Sequence, residues 1–110
     1  ETSFIAGNQQ DLVGIIKAWD EAVTFLRDNP EEGGKIIADA VGSPIEEFNT
    51  AFAGVHLYDR AENDAALKGD FQATVEEIGS IMQQANPDEV KTLPTGETFF
   101  DLTALSAAAQ

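Results

Sequence analysis

Apolar residues at three- and four-residue steps predict a helix from about Gln9 to Arg27. Asn8 has the side chain expected of its N-cap. Asn29-Pro30 should end the helix, because a residue that precedes proline avoids helical backbone angles. The stripe that we expect this helix to bury comprises Leu12, Ile15, Ile16, Trp19, Val23 and Leu26.

Two proline-containing starts predict the next two helices. Asn29-Pro30-Glu31-Glu32 and Ser43-Pro44-Ile45-Glu46 each place a capping side chain before proline, with glutamate in the first turn. Gly42 is expected to stop the first of them, and the second is predicted over Pro44 to Ala53. Their predicted buried residues are Ile36, Ile37, Ala40 and Val41 in one helix, and Ile45, Phe48, Ala51 and Phe52 in the other.

After Gly54 the pattern changes to a period of two. Val55-His56-Leu57-Tyr58 alternates and predicts a short extended segment. The polar stretch Asp59 to Asp64 predicts a turn, and a helix follows from about Phe71 to Gln84 with Asp70 as its cap. The inner side predicted for that helix comprises Thr74, Val75, Ile78, Ile81 and Met82.

The remaining residues predict a loop and a short terminal element. Pro94 and Gly96 disfavour regular secondary structure, so the segment from Asp88 to Gly96 is expected to be a loop. An apolar group then anchors the C-terminal end, namely Phe99, Phe100, Leu102 and Leu105. The predicted fold class is therefore mainly α, a cluster of four to five helices with a short extended segment. Residues 1–110 would form one helical domain or part of a two-lobed protein.

Charge and composition exclude several classes of function. Twenty acidic residues against six basic ones give a formal net charge of −14, which repels phosphate backbones and anionic lipid. We expect no nucleic-acid partner. The absence of cysteine removes thiolate nucleophiles and disulfides. No stretch approaches the roughly 20 apolar residues of a membrane span, so membrane insertion is not expected.

Catalytic and metal chemistry find little support in the sequence. His56 is the only histidine, so no second histidine can complete a metal pair. Asp59, Glu62 and Asp64 are close in sequence but lack the spacing of a calcium loop. We predict no metal, no cofactor, no catalytic residue and no enzymatic activity.

Three residues around the end of the extended segment are the candidates for ligand contact or a hinge. These are Tyr58, Arg60 and Asn63. The guanidinium of Arg60 could pair with an anionic group through its fork of donors. A local salt bridge with Asp59 or Glu62, and a capping role for Asn63, explain the same residues equally well.

The order of these segments resembles one known family. Residues 18–32 (AWDEAVTFLRDNPEE), 36–48 (IIADAVGSPIEEF), 53–63 (AGVHLYDRAEN) and 72–79 (QATVEEIG) are similar to successive segments of ABC-transporter substrate-binding proteins. The resemblance is to the nitrate/sulfonate/taurine and thiamine-precursor group, and it covers about residues 9 to 85.

The resemblance implies a type II periplasmic-binding-protein fold, in which two α/β lobes hold ligand in a cleft. This chain would be the helical C-terminal part, with most ligand contacts in upstream βαβ units. The implied function is solute binding for an ABC importer, with an ABC permease and a small, anionic molecule such as nitrate, sulfonate or taurine as partners. The implied location is periplasmic or extracellular, with a lipoprotein anchor left open.

A second hypothesis is a helical protein-interaction or scaffold module that is derived from this family and does not bind solute. A homodimer and a different protein partner both remain open under this hypothesis. An exposed apolar patch on the chain is the feature expected of such a module.

Overall fold

Helices form most of the structure, a computed structural model that describes residues 2–93 and 95–110. No strand occurs in these two ranges, so the prediction of a mainly α fold is confirmed. The helices described are α1 (Thr2–Gly7), α2 (Gln9–Asp28), α3 (Pro30–Val41), α4 (Ile45–Phe52), α5 (Arg60–Lys68), α6 (Asp70–Ala85), α7 (Gly96–Phe99) and α8 (Thr103–Ala107).

The long helix α2 organises the fold. It packs against α1, α3, α5 and α8, while α3 contacts α4 and α6 contacts α5 and α7. Val23, at the middle of α2, is 2% exposed and is the largest side chain to be fully buried. The predicted positions of α2, α3, α4 and α6 are each confirmed to within two residues, because proline and the apolar period act locally.

Asn8 and Asn29 occupy the predicted N-cap positions of α2 and α3, but neither side chain makes the expected capping hydrogen bond. The Asn8 amide donates a 2.8 Å hydrogen bond to the Phe4 carbonyl, and the Asn29 amide donates at 3.2 Å to that of Phe25. Both side chains therefore serve the end of the preceding helix. Each asparagine is the single residue between two helices. Its side chain can therefore pair with the free carbonyls of the preceding helix or with the free N–H groups of the following one.

Two other predicted caps are also absent. Pro44 occupies the N-cap position of α4, and the Ser43 hydroxyl donates to the Pro44 carbonyl instead. Asp70 is the first residue of α6, which Gly69 precedes. Gly42 does end α3 as predicted, with a left-handed φ of 69° that glycine adopts without steric cost.

The predicted turn at residues 59–64 is wrong, because helix α5 begins there. The Asp59 carboxylate accepts from the Glu62 N–H at 2.8 Å, and the Glu62 carboxylate accepts from the Asp59 N–H at 2.9 Å. This reciprocal pair is a capping box. Its signal, Asp-x-x-Glu, was present in the sequence. Residues 55–58 are non-helical, as predicted, but pair with no strand among the described residues.

The C-terminal region is more helical than predicted. Gly96, predicted to lie in a loop, begins the short helix α7, while Pro94 lies outside the described residues. Helix α8 contacts α2 and α5. Ala104 and Ala108 are buried, whereas Phe99, predicted to be an anchor, is largely exposed.

Many of the apolar residues that were predicted to form the core are exposed in the structure. Val23, Ala38, Ala104 and Ala108 are the buried hydrophobic residues of the described ranges. More than half of each of these predicted core residues is exposed: Ile15, Ile36, Val41, Ile78, Ile81 and Met82. Instead, α3 buries Gly33, Gly34 and Ala38. Gly33 lies against Leu26 of α2, and Gly34 lies against Phe48 and Asn49 of α4.

The overall dimensions agree with this incomplete burial. The accessible surface is 7992 Å², whereas a compact monomer of this mass should expose about 5,900 Å². The radius of gyration is 17.8 Å, against about 13 Å for a compact domain of this length. The described chain therefore exposes more surface than a compact domain of its size, and many large hydrophobic side chains lie in that surface.

Candidate functional site

Two hydrogen bonds tie the segment that contains the predicted site residues to the middle of α2. The Trp19 indole donates to the Tyr58 carbonyl at 2.8 Å. The Arg60 backbone N–H donates to the Asp20 carboxylate, also at 2.8 Å. These contacts join residues 18–32 to residues 53–63.

Arg27 forms the charged centre of the same junction. Its guanidinium donates to Asp59 at 2.7 Å, to Glu62 at 2.5 Å and to the Leu57 carbonyl at 2.8 Å. The hydrogen bonds to Glu62 and Asp59 raise the Arg27 pKa above its ordinary value. With three acceptors, two of them anionic, this guanidinium is unsuited to capture an additional anion.

Both carboxylates of the junction are held ionised. The Glu62 N–H, followed by the Arg27 guanidinium, lowers the pKa of Asp59. The Asp59 N–H and then Arg27 lower the pKa of Glu62. Hydrogen bonds to a carboxylate favour its charged form, so neither group is a candidate general acid near neutral pH.

His56 lies at the edge of this junction. Its Nε2 is 3.1 Å from a Glu62 oxygen, and its ring meets the Tyr58 ring edge-on with centroids 5.0 Å apart. Glu62 is thus shared between His56, Arg27 and the start of α5. This arrangement orients the imidazole on the surface.

The acidic cluster predicted from the sequence is divided in the structure. Asp59 and Glu62 face Arg27, whereas Asp64 pairs with Lys68 at 2.7 Å within α5. No group of three or more potential metal ligands forms within residues 2–93 and 95–110.

Arg60 and Asn63 share a cleft that we call the α2–α5–α8 cleft. It has a volume of about 480 Å³, which lies within the range of small-molecule sites. The Asn63 amide donates to the Tyr58 and Asp59 carbonyls at 3.0 and 2.9 Å. The cleft is lined by Ile5, Leu12, Ile15, Ile16, Trp19, Arg60, Asn63, Leu67, Asp101, Leu102, Ala104 and Leu105.

Tyr58 does not join the other two candidates in this cleft. It lines a separate shallow depression with Glu62, Gly69 and Asp70. The cleft instead contains Asp101, which sequence reasoning missed. The Thr103 N–H donates to this carboxylate and lowers its pKa, so the cleft has one cationic and one anionic side chain.

A second apolar concavity, which we call the α2–α3 groove, lies on the other side of Trp19. Its volume is about 560 Å³. Trp19 is 45% exposed and lines both concavities. The groove is lined by Ala18, Trp19, Glu21, Ala22, Val23, Phe25, Leu26, Gly33, Ile36, Ile37 and Leu57. Sequence reasoning predicted most of these apolar residues as core, and the structure leaves Trp19, Phe25 and Ile36 substantially exposed.

Of the helices that the structure describes, none combines the length and apolar character needed to traverse a bilayer. No protein-family model, curated protein or solved structure matches the chain.

Proposed function

We propose that this chain is a non-enzymatic helical interaction module that docks another protein surface on the α2–α3 groove. The observation that carries the proposal is the exposed apolar surface. On the groove, Trp19, Phe25 and Ile36 are 45%, 41% and 55% exposed. The total accessible area, polar and apolar together, exceeds that of a compact monomer by about 2,000 Å², and one partner in a standard interface contributes about 800 Å². Exposed apolar patches of this kind are typical of interaction sites.

The form of the groove supports a docking role. Helices α2 and α3 provide most of its lining, which combines the small residues Ala18, Ala22 and Gly33 with the larger Phe25 and Ile36. Helix-in-groove recognition uses such apolar depressions between packed helices. The Arg27 junction adjoins the groove, because Leu57, whose carbonyl accepts a hydrogen bond from Arg27, also lines it.

A designed amphipathic helix with a leucine face and uncharged glutamine flanks provides a direct test. Trp19 is the only tryptophan and lines the groove, so its fluorescence should shift to shorter wavelength when the peptide binds. Ile36→Glu should weaken binding at least tenfold, because it places a charge on the apolar wall. Ile78→Glu on α6 is the matched control, since Ile36 and Ile78 are 55% and 51% exposed.

The expected result is binding that Ile36→Glu impairs and Ile78→Glu leaves within twofold of the parent. Equal weakening by the two variants, or no binding by the parent chain, would reject the groove as a docking surface. Circular dichroism on each variant confirms that the helices are retained.

The second candidate function is the solute-binding component of an ABC importer. Two observations favour it: the hydrogen bonds that join the segments resembling that family, and the cleft that holds Arg60 and Asn63. The exposed helix faces would then pack against the rest of an α/β lobe, as helices do in layered folds. Because Arg60 and Asp101 both line the cleft, a zwitterion such as taurine fits its charges better than nitrate.

Titration with taurine, an alkyl sulfonate and nitrate tests this candidate through Trp19 fluorescence, since Trp19 also lines this cleft. Taurine should bind, and Arg60→Gln should abolish the signal. Lys17→Gln removes the same charge from the outer side of α2 and should have no effect. Absence of any response to the three solutes would reject solute binding by this cleft.

A further inference from the structure

We infer that the occupant of the α2–α3 groove is a basic amphipathic helix, whose apolar face enters the groove between acidic rims. This inference rests on the proposed docking function and names the chemistry of the partner. The apolar lining calls for an apolar face. The charges around the lining then determine which flanking residues the occupant can have.

Acidic side chains border the groove on both helices. Glu21 lines it directly from α2. On α3, Glu32 and Asp39 lie four residues before and three residues after Ile36, so they share its helix face. All three are exposed. Lys35, the basic neighbour on α3, pairs with Asp39 at 2.7 Å. These two charges offset each other, so the acidic character of the rims rests on Glu21 and Glu32.

The dimensions of the groove suit a helix. Its lining on α2 runs from Ala18 to Leu26, which corresponds to about 12 Å along the helix axis. Two turns of an occupant would therefore present apolar anchors at positions i, i+3 or i+4, and i+7. Lysine or arginine on either side of that stripe would meet the acidic rims.

A second copy of this chain is the weaker occupant on electrostatic grounds. Each copy has a formal net charge of −14, and a symmetric dimer through the groove would bring two acidic rims together. Opposed like charges at an interface are costly, whereas complementary charges accelerate and orient association.

The experiment compares three designed helical peptides of about 18 residues, roughly five turns, with an identical leucine face. Their flanks are lysine, glutamine or glutamate. Trp19 fluorescence reports binding at about 20 mM and about 500 mM salt, where charge interactions are respectively strong and screened. The lysine peptide should bind at least tenfold tighter than the glutamate peptide at low salt, and this ratio should shrink at high salt.

Local and global charge effects are separated by a pair of charge reversals. Glu21→Lys reverses a charge in the groove, and Glu77→Lys makes the same change on α6. The inference requires Glu21→Lys to reduce the preference for the lysine peptide at least threefold more than Glu77→Lys does. Equal effects would mean that only the net charge matters, and would overturn the assignment to the acidic rims.

The remaining outcomes distinguish this inference from the docking function itself. Equal affinity for all three peptides leaves the docking function standing and overturns the basic partner. If no peptide binds, both proposals fail. If sedimentation shows a dimer that Ile36→Glu dissociates and Ile78→Glu does not, the groove is occupied by a second copy, and the basic helix is overturned.

Discussion

The indole nitrogen of Trp19 lies 2.8 Å from the carbonyl oxygen of Tyr58, to which it donates a hydrogen bond across 39 positions of sequence. This contact holds the 55–59 segment against the middle of α2. The same carbonyl also accepts from the Asn63 amide at 3.0 Å. One backbone oxygen therefore connects α2, the non-helical segment and the first turn of α5.

Replacement of Trp19 by phenylalanine should test the strength of this connection. Trp19→Phe retains an aromatic ring but removes the donor. We expect a loss of about 1 kcal/mol in the free energy of unfolding, the usual contribution of one such hydrogen bond. Urea denaturation followed by circular dichroism measures this loss without the missing fluorophore. An unchanged midpoint would show that the hydrogen bond contributes little.

Loss of the Arg27 guanidinium should destabilise the junction between α2 and α5. Arg27→Lys keeps the charge, but an ammonium cannot reproduce the planar fork that reaches Asp59, Glu62 and the Leu57 carbonyl. We expect a clear decrease in the thermal unfolding midpoint, measured by circular dichroism.

The control for Arg27 is Lys35→Gln. Lys35 and Asp39 form an i,i+4 pair in which both side chains are more than two-thirds exposed, and such pairs contribute little to stability. The midpoint of Lys35→Gln should match the parent protein. If Arg27→Lys changes it no more than Lys35→Gln does, the junction is not a stabilising element.

Acid should destabilise the same junction. The folded-state pKa values of Asp59 and Glu62 are lowered, so the unfolded chain binds protons more readily than the folded chain. Their stabilising contribution is present above the unfolded values of about 4 and is lost as the pH falls through the lower folded values. Urea midpoints measured from pH 6 to pH 2.5 should therefore decrease below about pH 4.

The double variant Asp59→Asn/Glu62→Gln isolates this effect. Both substitutions remove titration, while their amide oxygens can still accept the two capping N–H groups. The acid-dependent decrease should be smaller in the double variant than in the parent. Parallel pH profiles would assign the decrease to other carboxylates.

The close approach of α2 and α3 predicts opposite effects for two glycine substitutions. An added Cβ at Gly33 would lie 2.6 Å from Leu26 Cδ1 and 3.1 Å from Leu26 Cα, so Gly33→Ala should cost about 1–3 kcal/mol through overpacking. Gly14 in α2 has no such neighbour within 4 Å. Gly14→Ala should stabilise by up to about 1 kcal/mol through helix propensity. Thermal unfolding of both variants decides the sign, and a stabilising Gly33→Ala would contradict this packing.

Local sequence signals determined most of the helix positions. The apolar period of α2, Asn29-Pro30 and Gly42 each act within a few residues, so their effect does not depend on the rest of the fold. Helix α5, one of the helices that were missed, also had a local signal. Its Asp-x-x-Glu capping box was obscured because the polar composition of residues 59–64 favoured a turn.

Tertiary structure decided which apolar faces are covered and which predicted site residues meet. A stripe such as that of α2 indicates a face that favours burial. Burial itself requires a second surface at the correct distance, and in the described part of the chain α1, α3, α5 and α8 supply such surfaces to α2. Trp19, Ile36 and Ile78 therefore stay exposed despite their favourable periodicity. Likewise, Arg60 and Asp101 both line the α2–α5–α8 cleft, whereas Tyr58 lies outside it. This arrangement depends on contacts between residues far apart in sequence, which no local pattern encodes.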